Sequence, residues 1–453
     1  MVKPVHMSRF VLILLLAAVA AVAAGFGRDD PAPDLRILAA QQGESELRLV
    51  YEWRKPQREI LLGEVAGGYR ERRWTVETPG LVLQRLDDGD RIVRSDGKRF
   101  SSVELTARPD LVRLPKEYQP LVRYGAGGTL VYTGHIWPMT KAGGRVNAAF
   151  DFAPAEGGHV VAFGANAPAL TAWRSPMEHP AFVYLGPLDP VETDNVMALI
   201  DPDAPDWIVA EFNTLVPESF AKLAEMFGFT PETKPNLFLS APLGSEAGKL
   251  SYAGDALPAQ FQITLEGGAW REPNDKAREI FTQSTIHESV HLWQAAARPG
   301  SEAAPEWIHE GAADAIAAEV MVALRRWDGA AFAANEESAR SECARELDKG
   351  PLNGAKSRGD FRALYACGHV IAAAVARAEG ASTADFWRVF VARAKEADGY
   401  DEAMFYRLVA DRTGDKDFAE ALEDFARTPL ADPQRDIEAL FASAGSLARA
   451  RGR

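Results

Sequence analysis

The hydrophobic period changes once along this chain, and that change limits the fold more than any other feature. Before about residue 186, apolar and polar residues alternate over short runs, most clearly at 46–53 and 73–77. That is the period of half-buried strands. Further runs at 81–85, 91–94, 102–106, 129–133, 146–152 and 159–163 are parted in places by Asp- and Gly-rich clusters such as Asp87-Asp88-Gly89-Asp90 and Gly125-Ala126-Gly127-Gly128. Short strands so spaced build an antiparallel sandwich or a saddle-shaped sheet. Pro187, Pro190, Pro202 and Pro205 then mark 186–205 as a boundary or wrapped connector. Beyond it, 207–227 reads as a helix with a break at Pro217, and 236–240 and 260–265 read as strands. From Asp275 onward the chain reads as Ala-rich helices, and the small and basic residues past about Ser443 read as a fraying tail. No internal repeat is evident. The expected class is α+β.

Residues 1–9 carry Lys3 and Arg9 and no acid, and residues 10–26 are an unbroken apolar or Gly run. A basic start and a short apolar core describe an export signal, with small residues at Ala21, Ala23 and Ala24 for cleavage. Left uncleaved, the same run is just long enough to anchor the chain. Nothing else in the chain is apolar enough to span a bilayer, so cleavage of 1–24 leaves no membrane span. It also removes two positive charges and moves the formal net charge from −14 to −16. That balance argues against nucleic-acid partners, which need cations to neutralise phosphates. Export to the periplasm or the outside places the two cysteines, Cys343 and Cys367, in an oxidising compartment. They form either one disulfide, stabilising by about 3 kcal/mol, or two buried thiols.

One constellation carries chemistry. His287-Glu288-Ser289-Val290-His291 is an H-E-x-x-H motif in a segment that starts at Asn274 or Asp275 and stops at Pro299-Gly300. Ile286, Val290 and Trp293 recur at helical spacing and face the core. His287 and His291, one turn apart, then point the same way and can share one Zn2+ ion per chain. Glu288 lies about 100° around the helix, where it can deprotonate a metal-activated water. A second helix begins at Pro305, and its Glu310 follows His291 after 18 residues. A short Gly/Ser/Pro loop allows the two helices to run antiparallel, bringing Glu310 in as third ligand and leaving the fourth position open, as catalytic zinc requires. Gly311 in that helix implies close packing beside the metal. Asp314, one turn after Glu310, is placed to accept a ligand histidine's N–H. His309 points elsewhere and reads as a wall or surface residue.

His287-Glu288-Ser289-Val290-His291, 18 residues, then Glu310 within Trp307-Ile308-His309-Glu310-Gly311-Ala312-Ala313 resembles the gluzincin metallopeptidases, in the aminopeptidase N-like branch. Tyr365-Ala366-Cys367-Gly368 matches the branch's Y-x-x-G element. The resemblance covers about 207–390. It implies a thermolysin-like zinc peptidase catalytic unit (201–390) and suits an N-terminal β-rich sandwich or saddle (25–200); the residue pattern adds a short C-terminal helical region (391–443) and a frayed tail (444–453). It also implies that Tyr365 donates to the oxyanion, with His369 as the alternative donor. The G-x-M-E-N stretch by which that branch grips a free amine is absent, although Glu266 lies near the corresponding place. Aminopeptidase and endopeptidase readings therefore both stand. The expected activity is hydrolysis of a peptide or protein substrate; the other reading is a catalytically silent binding or assembly protein of the cell envelope. Neither substrate sequence nor oligomeric state is specified.

Overall fold

The computed structural model describes residues 31–43, 46–63, 68–87, 89–109, 118–176, 179–297 and 304–451. The export segment and residues 298–303 of the expected inter-helix loop lie outside that set. Among the described residues no helix is long and apolar enough to cross a membrane.

The first half is built from three sheets. A six-stranded sheet runs in the order Leu170–Trp173, Ala148–Ala153, Leu35–Gln42, Glu46–Gln57, Phe100–Ala107 and Trp74–Val76. Every contact in it is antiparallel except Leu35–Gln42 with Ala148–Ala153. A five-stranded antiparallel sheet follows the order Ala165–Ala167, His159–Ala162, Phe182–Gly186, Thr129–Tyr132, Leu121–Arg123. A smaller sheet pairs Glu59–Leu62, Gly89–Arg94 and Leu81–Leu86. The alternation seen in sequence is what joins them. Ile37, Leu49, Tyr51 and Leu105 of the large sheet share one core with Val131, Val160, Val183 and Leu185 of the second sheet and with Ile60 and Ile92 of the third. A buried ion pair lies in this half: Arg70 bonds Asp90 at 2.7 Å, and its guanidinium also reaches Nδ1 of buried His135 at 3.3 Å.

The other face of the five-stranded sheet is covered too. Its Tyr124, Leu130, Tyr132, Phe182 and Tyr184 pack against Met197, Leu199, Phe238 and Leu257 of a further five-stranded sheet. That sheet runs Val191–Glu192, Met197–Ile200, Asn236–Ser240, Gln260–Glu266, Ser251–Leu257, with parallel pairs in the middle and an antiparallel strand at each edge. Strand alternation divides its residues: Phe238 faces the β-rich half, while Leu237 and Leu239 face the helices. Polar bonds fasten the junction. Buried Asp201 accepts from the amides of Gly125 (3.0 Å), Asp203 (3.1 Å) and Ala241 (3.0 Å). The Gln260 amide pairs with both main-chain groups of Phe182, each at 2.8 Å. The segment 186–205 is therefore more than a connector, because two strands within it open the second unit's sheet ahead of residue 201.

The helices share one apolar core with that sheet, running from Val196 to Ala444. Helix Asp206–Phe227 continues through Pro217, where the sequence predicted a break. Burial of Leu215, Val216 and Phe220 outweighs a proline cost of about 3 kcal/mol. The tail expected from 444 is helix instead: Pro433–Arg451 is continuous, with Leu440, Phe441 and Ala444 buried against the preceding helices.

Candidate metal centre

Asn274 opens the motif helix, Asp275–Gln294, its side chain accepting from the Ala277 amide at 2.9 Å. Ile286, Val290 and Trp293 are fully buried, which fixes the rotation of the helix. His287 and His291 are thereby turned toward the following helix, Trp307–Ala323, which carries Glu310 and Asp314. The Nε2 atoms of the two histidines are 3.0 Å apart, and Glu310 Oε2 is 3.3 Å from that of His287 and 3.4 Å from that of His291. Ligands about 2.0–2.1 Å from a tetrahedral zinc stand about 3.3–3.4 Å from one another. The three donor atoms are already at the spacing a zinc ion needs, with nitrogen and oxygen donors suited to it.

The outer partners fix which nitrogen carries the proton. His287 Nδ1–H donates to Asp314 Oδ1 at 2.7 Å, and His291 Nδ1–H donates to Gln294 Oε1 at 2.7 Å. The Gln294 amide is oriented in turn, because its Nε2 donates to the His309 carbonyl at 3.0 Å. Both Nε2 lone pairs are left facing the cluster. Burial opposes a charge on His287, yet Asp314, Glu310 and Glu288 together raise its pKa well above the ordinary histidine range, so a cation entering the cluster would displace the proton from its Nε2. The site holds an excess of negative charge and draws a cation. His309, expected to point elsewhere, instead sets its ring edge-on to His291 at 5.8 Å.

Glu288 is 7% exposed, and its carboxylate lies against Gly254 on the edge strand Ser251–Leu257. Tyr365 opens the site from a third helix, Phe361–Glu379, with its ring 5.8 Å from that of His287. Burial, followed by the charges of Glu310, Glu288 and Asp314, pushes its phenol well above the usual range, so it stays a neutral donor. His369, one turn further on, is buried; burial lowers its pKa and Arg340 adds to that, against the pull of Asp314. It is not one of the grouped donors. Glu266 is held in an ion pair with Lys249 at 2.8 Å.

Two glycines set the spacing of the helices. A side chain on Gly311 would overlap the backbone of Gly368, and one on Gly368 would overlap the Trp307 carbonyl and stand 2.8 Å from Gly311 Cα. The helices of Glu310 and Tyr365 thus cross backbone to backbone. A disulfide between Cys343 and Cys367 ties the Tyr365 helix to Gly329–Leu347 one residue before that crossing. Sequence reasoning missed Gln294, three residues after His291, and buried Tyr400, whose phenol lies 3.5 Å from His309 Nδ1.

The fold, with its clustered His287, His291 and Glu310 donors, resembles the aminopeptidase N-like architecture of zinc metallopeptidases. The chain shares this fold with an aminopeptidase N family protein from Idiomarina loihiensis (TM-score 0.62, 12% identity, 88% of this chain and 76% of that one). It is also similar to an M1 zinc metallopeptidase from Deinococcus radiodurans (TM-score 0.50, 14% identity, 88% and 93% covered) and to yeast LTA4 hydrolase (TM-score 0.50, 11% identity, 88% and 68% covered). No protein-family model matches the chain, and no curated protein matches it in sequence.

Proposed function

We propose that this chain is an exported zinc-dependent peptidase. The observation that carries the reading is the His287, His291 and Glu310 triad at tetrahedral spacing, with Glu288 next to His287 on the same helix. His287, His291 and Glu310 would hold one zinc ion, and Asp314 and Gln294 would keep the imidazoles aimed at it. Zinc, when bound, would supply Lewis acidity toward a carbonyl and make water easier to deprotonate. Glu288 takes the proton of the attacking water and delivers it to the leaving amine. Tyr365, neutral and half-buried, donates to the oxygen on which negative charge develops. The fold of the M1 zinc metallopeptidases supports this assignment, as does a buried disulfide, which suits an oxidising compartment.

Glu288→Gln keeps zinc and loses hydrolysis, measured as metal content and digestion of a mixed peptide library. Unchanged turnover in the zinc-loaded variant removes the mechanism. Rates on free and N-acetylated forms of the same peptides then separate an aminopeptidase from an endopeptidase.

A further inference from the structure

Glu288 does not project into open space. Its carboxylate rests on the edge strand Ser251–Leu257, at the one glycine of that strand. A Cβ at position 254 would overlap Glu288 Oε1 and stand 2.8 Å from its Cδ and 3.0 Å from its Cγ, where ordinary contact begins at 3.4 Å. Backbone conformation does not demand glycine here, since Gly254 is absent from the positive-φ residues. Antiparallel pairing of Gly254 with Ile263 holds the strand in register, and Ile263 is itself fully buried. The strand is therefore fixed and the carboxylate is the movable partner. Strand interiors disfavour glycine, so a bare backbone atom at this one point calls for a reason, and the Glu288 side chain supplies it.

We propose that Gly254 is a positioning residue for the general base: the missing side chain at 254 is the seat that sets where the Glu288 carboxylate stands. This inference rests on the peptidase reading, in which Glu288 is the base. A methyl group there drives Cδ back by about 0.6 Å to restore ordinary contact, and the nearer oxygen by more. Misplacement of a reacting group by about 1 Å lowers rates about 100-fold. The three nearest atoms all belong to one flexible side chain, so the fold absorbs the obstacle. Gly254→Ala thus separates function from folding.

The test compares wild type, Gly254→Ala, Glu288→Gln and the double variant, each zinc-loaded, for metal content, thermal midpoint, kcat and KM on one peptide. The expected result for Gly254→Ala is wild-type zinc content and midpoint, kcat lower by about 100-fold, and KM within about threefold, since the loss falls on the base. In the Glu288→Gln background the same substitution changes the residual rate by less than about threefold, as for two residues acting as one unit. Shortening the base in Gly254→Ala/Glu288→Asp vacates the crowded space, so there the alanine lowers kcat by less than about tenfold relative to Glu288→Asp. Wild-type kcat in Gly254→Ala overturns the inference. So does an undiminished loss in the Glu288→Gln background, or loss of zinc or of the thermal midpoint, since each places the effect elsewhere than at the base. Full turnover by Glu288→Gln removes the peptidase reading and this inference with it, whereas full turnover by Gly254→Ala alone removes only the inference.

Discussion

The crossing of Gly311 and Gly368 offers a direct measure of how tightly the site's two supporting helices are held. In Gly368→Ala the new Cβ stands 2.8 Å from Gly311 Cα and 3.1 Å from Gly311 N, and it overlaps the Trp307 carbonyl. All three are backbone atoms of a buried helix, so no side chain can swing aside, and the helices must part. Overpacking of this kind costs about 1–3 kcal/mol. Better helix propensity offsets about 1 kcal/mol of it. With only backbone to yield, the upper end applies, and the expected net loss is about 2 kcal/mol, or about 4 °C in thermal midpoint. Parting the helices also separates Tyr365 from Glu310, so zinc affinity and kcat fall together. The assay is thermal and urea unfolding, with Gly329→Ala as the reference: Gly329 opens its helix with empty space where a Cβ would go, and its substitution should stabilise by about 0.4–1 kcal/mol. A Gly368→Ala protein as stable as wild type would refute the reasoning.

Asp314→Asn should weaken zinc binding about 10–100-fold, read by competition with a chelator; unchanged affinity would mean that the 2.7 Å bond to His287 does not orient the ligand. Cys343→Ser with Cys367→Ser should lower stability by about 3 kcal/mol, read from the urea midpoint, after alkylation without reductant has shown both thiols of the wild type to be blocked. Buried His135 donates from Nε2 to the Tyr118 carbonyl at 3.0 Å, and burial together with the Arg70 charge holds its pKa well below 6.5. Below pH 6.5 the unfolded chain therefore binds a proton that the folded chain does not. Stability falls with acidification by about 1.4 kcal/mol per pH unit until the folded pKa is reached. His135→Gln should flatten that slope between pH 7 and 5; an identical slope would show that another group carries it.

Local spacing made much of this legible. The strands at 46–53 and 102–106 were readable because a half-buried strand alternates, and observed strands overlap both; Thr129–Tyr132, buried on both faces, was readable only as a short apolar run after a Gly cluster. Met197–Ile200 was not, because a strand covered on both faces is a plain apolar run, here framed by prolines. The edge strand Ser251–Leu257 was also illegible, since only its two end residues are buried. Proximity of His287, His291 and Glu310 followed from helix periodicity plus one short loop. The contacts of Gly254 with Glu288 and of Gly311 with Gly368 depend on strand register and on how helices cross, neither of which leaves a local trace. Gln294 was within reach, standing one turn from His291 on the same face.

Asp201 has a consequence for how the two halves depend on one another. Its carboxylate gathers amides from a turn of the β-rich half, from its own loop and from the residue after the strand Asn236–Ser240. The two halves are thus joined through a single buried carboxylate. Removing that one carboxylate would leave amides of both halves without their acceptor, so its loss would be felt on both sides of the junction at once.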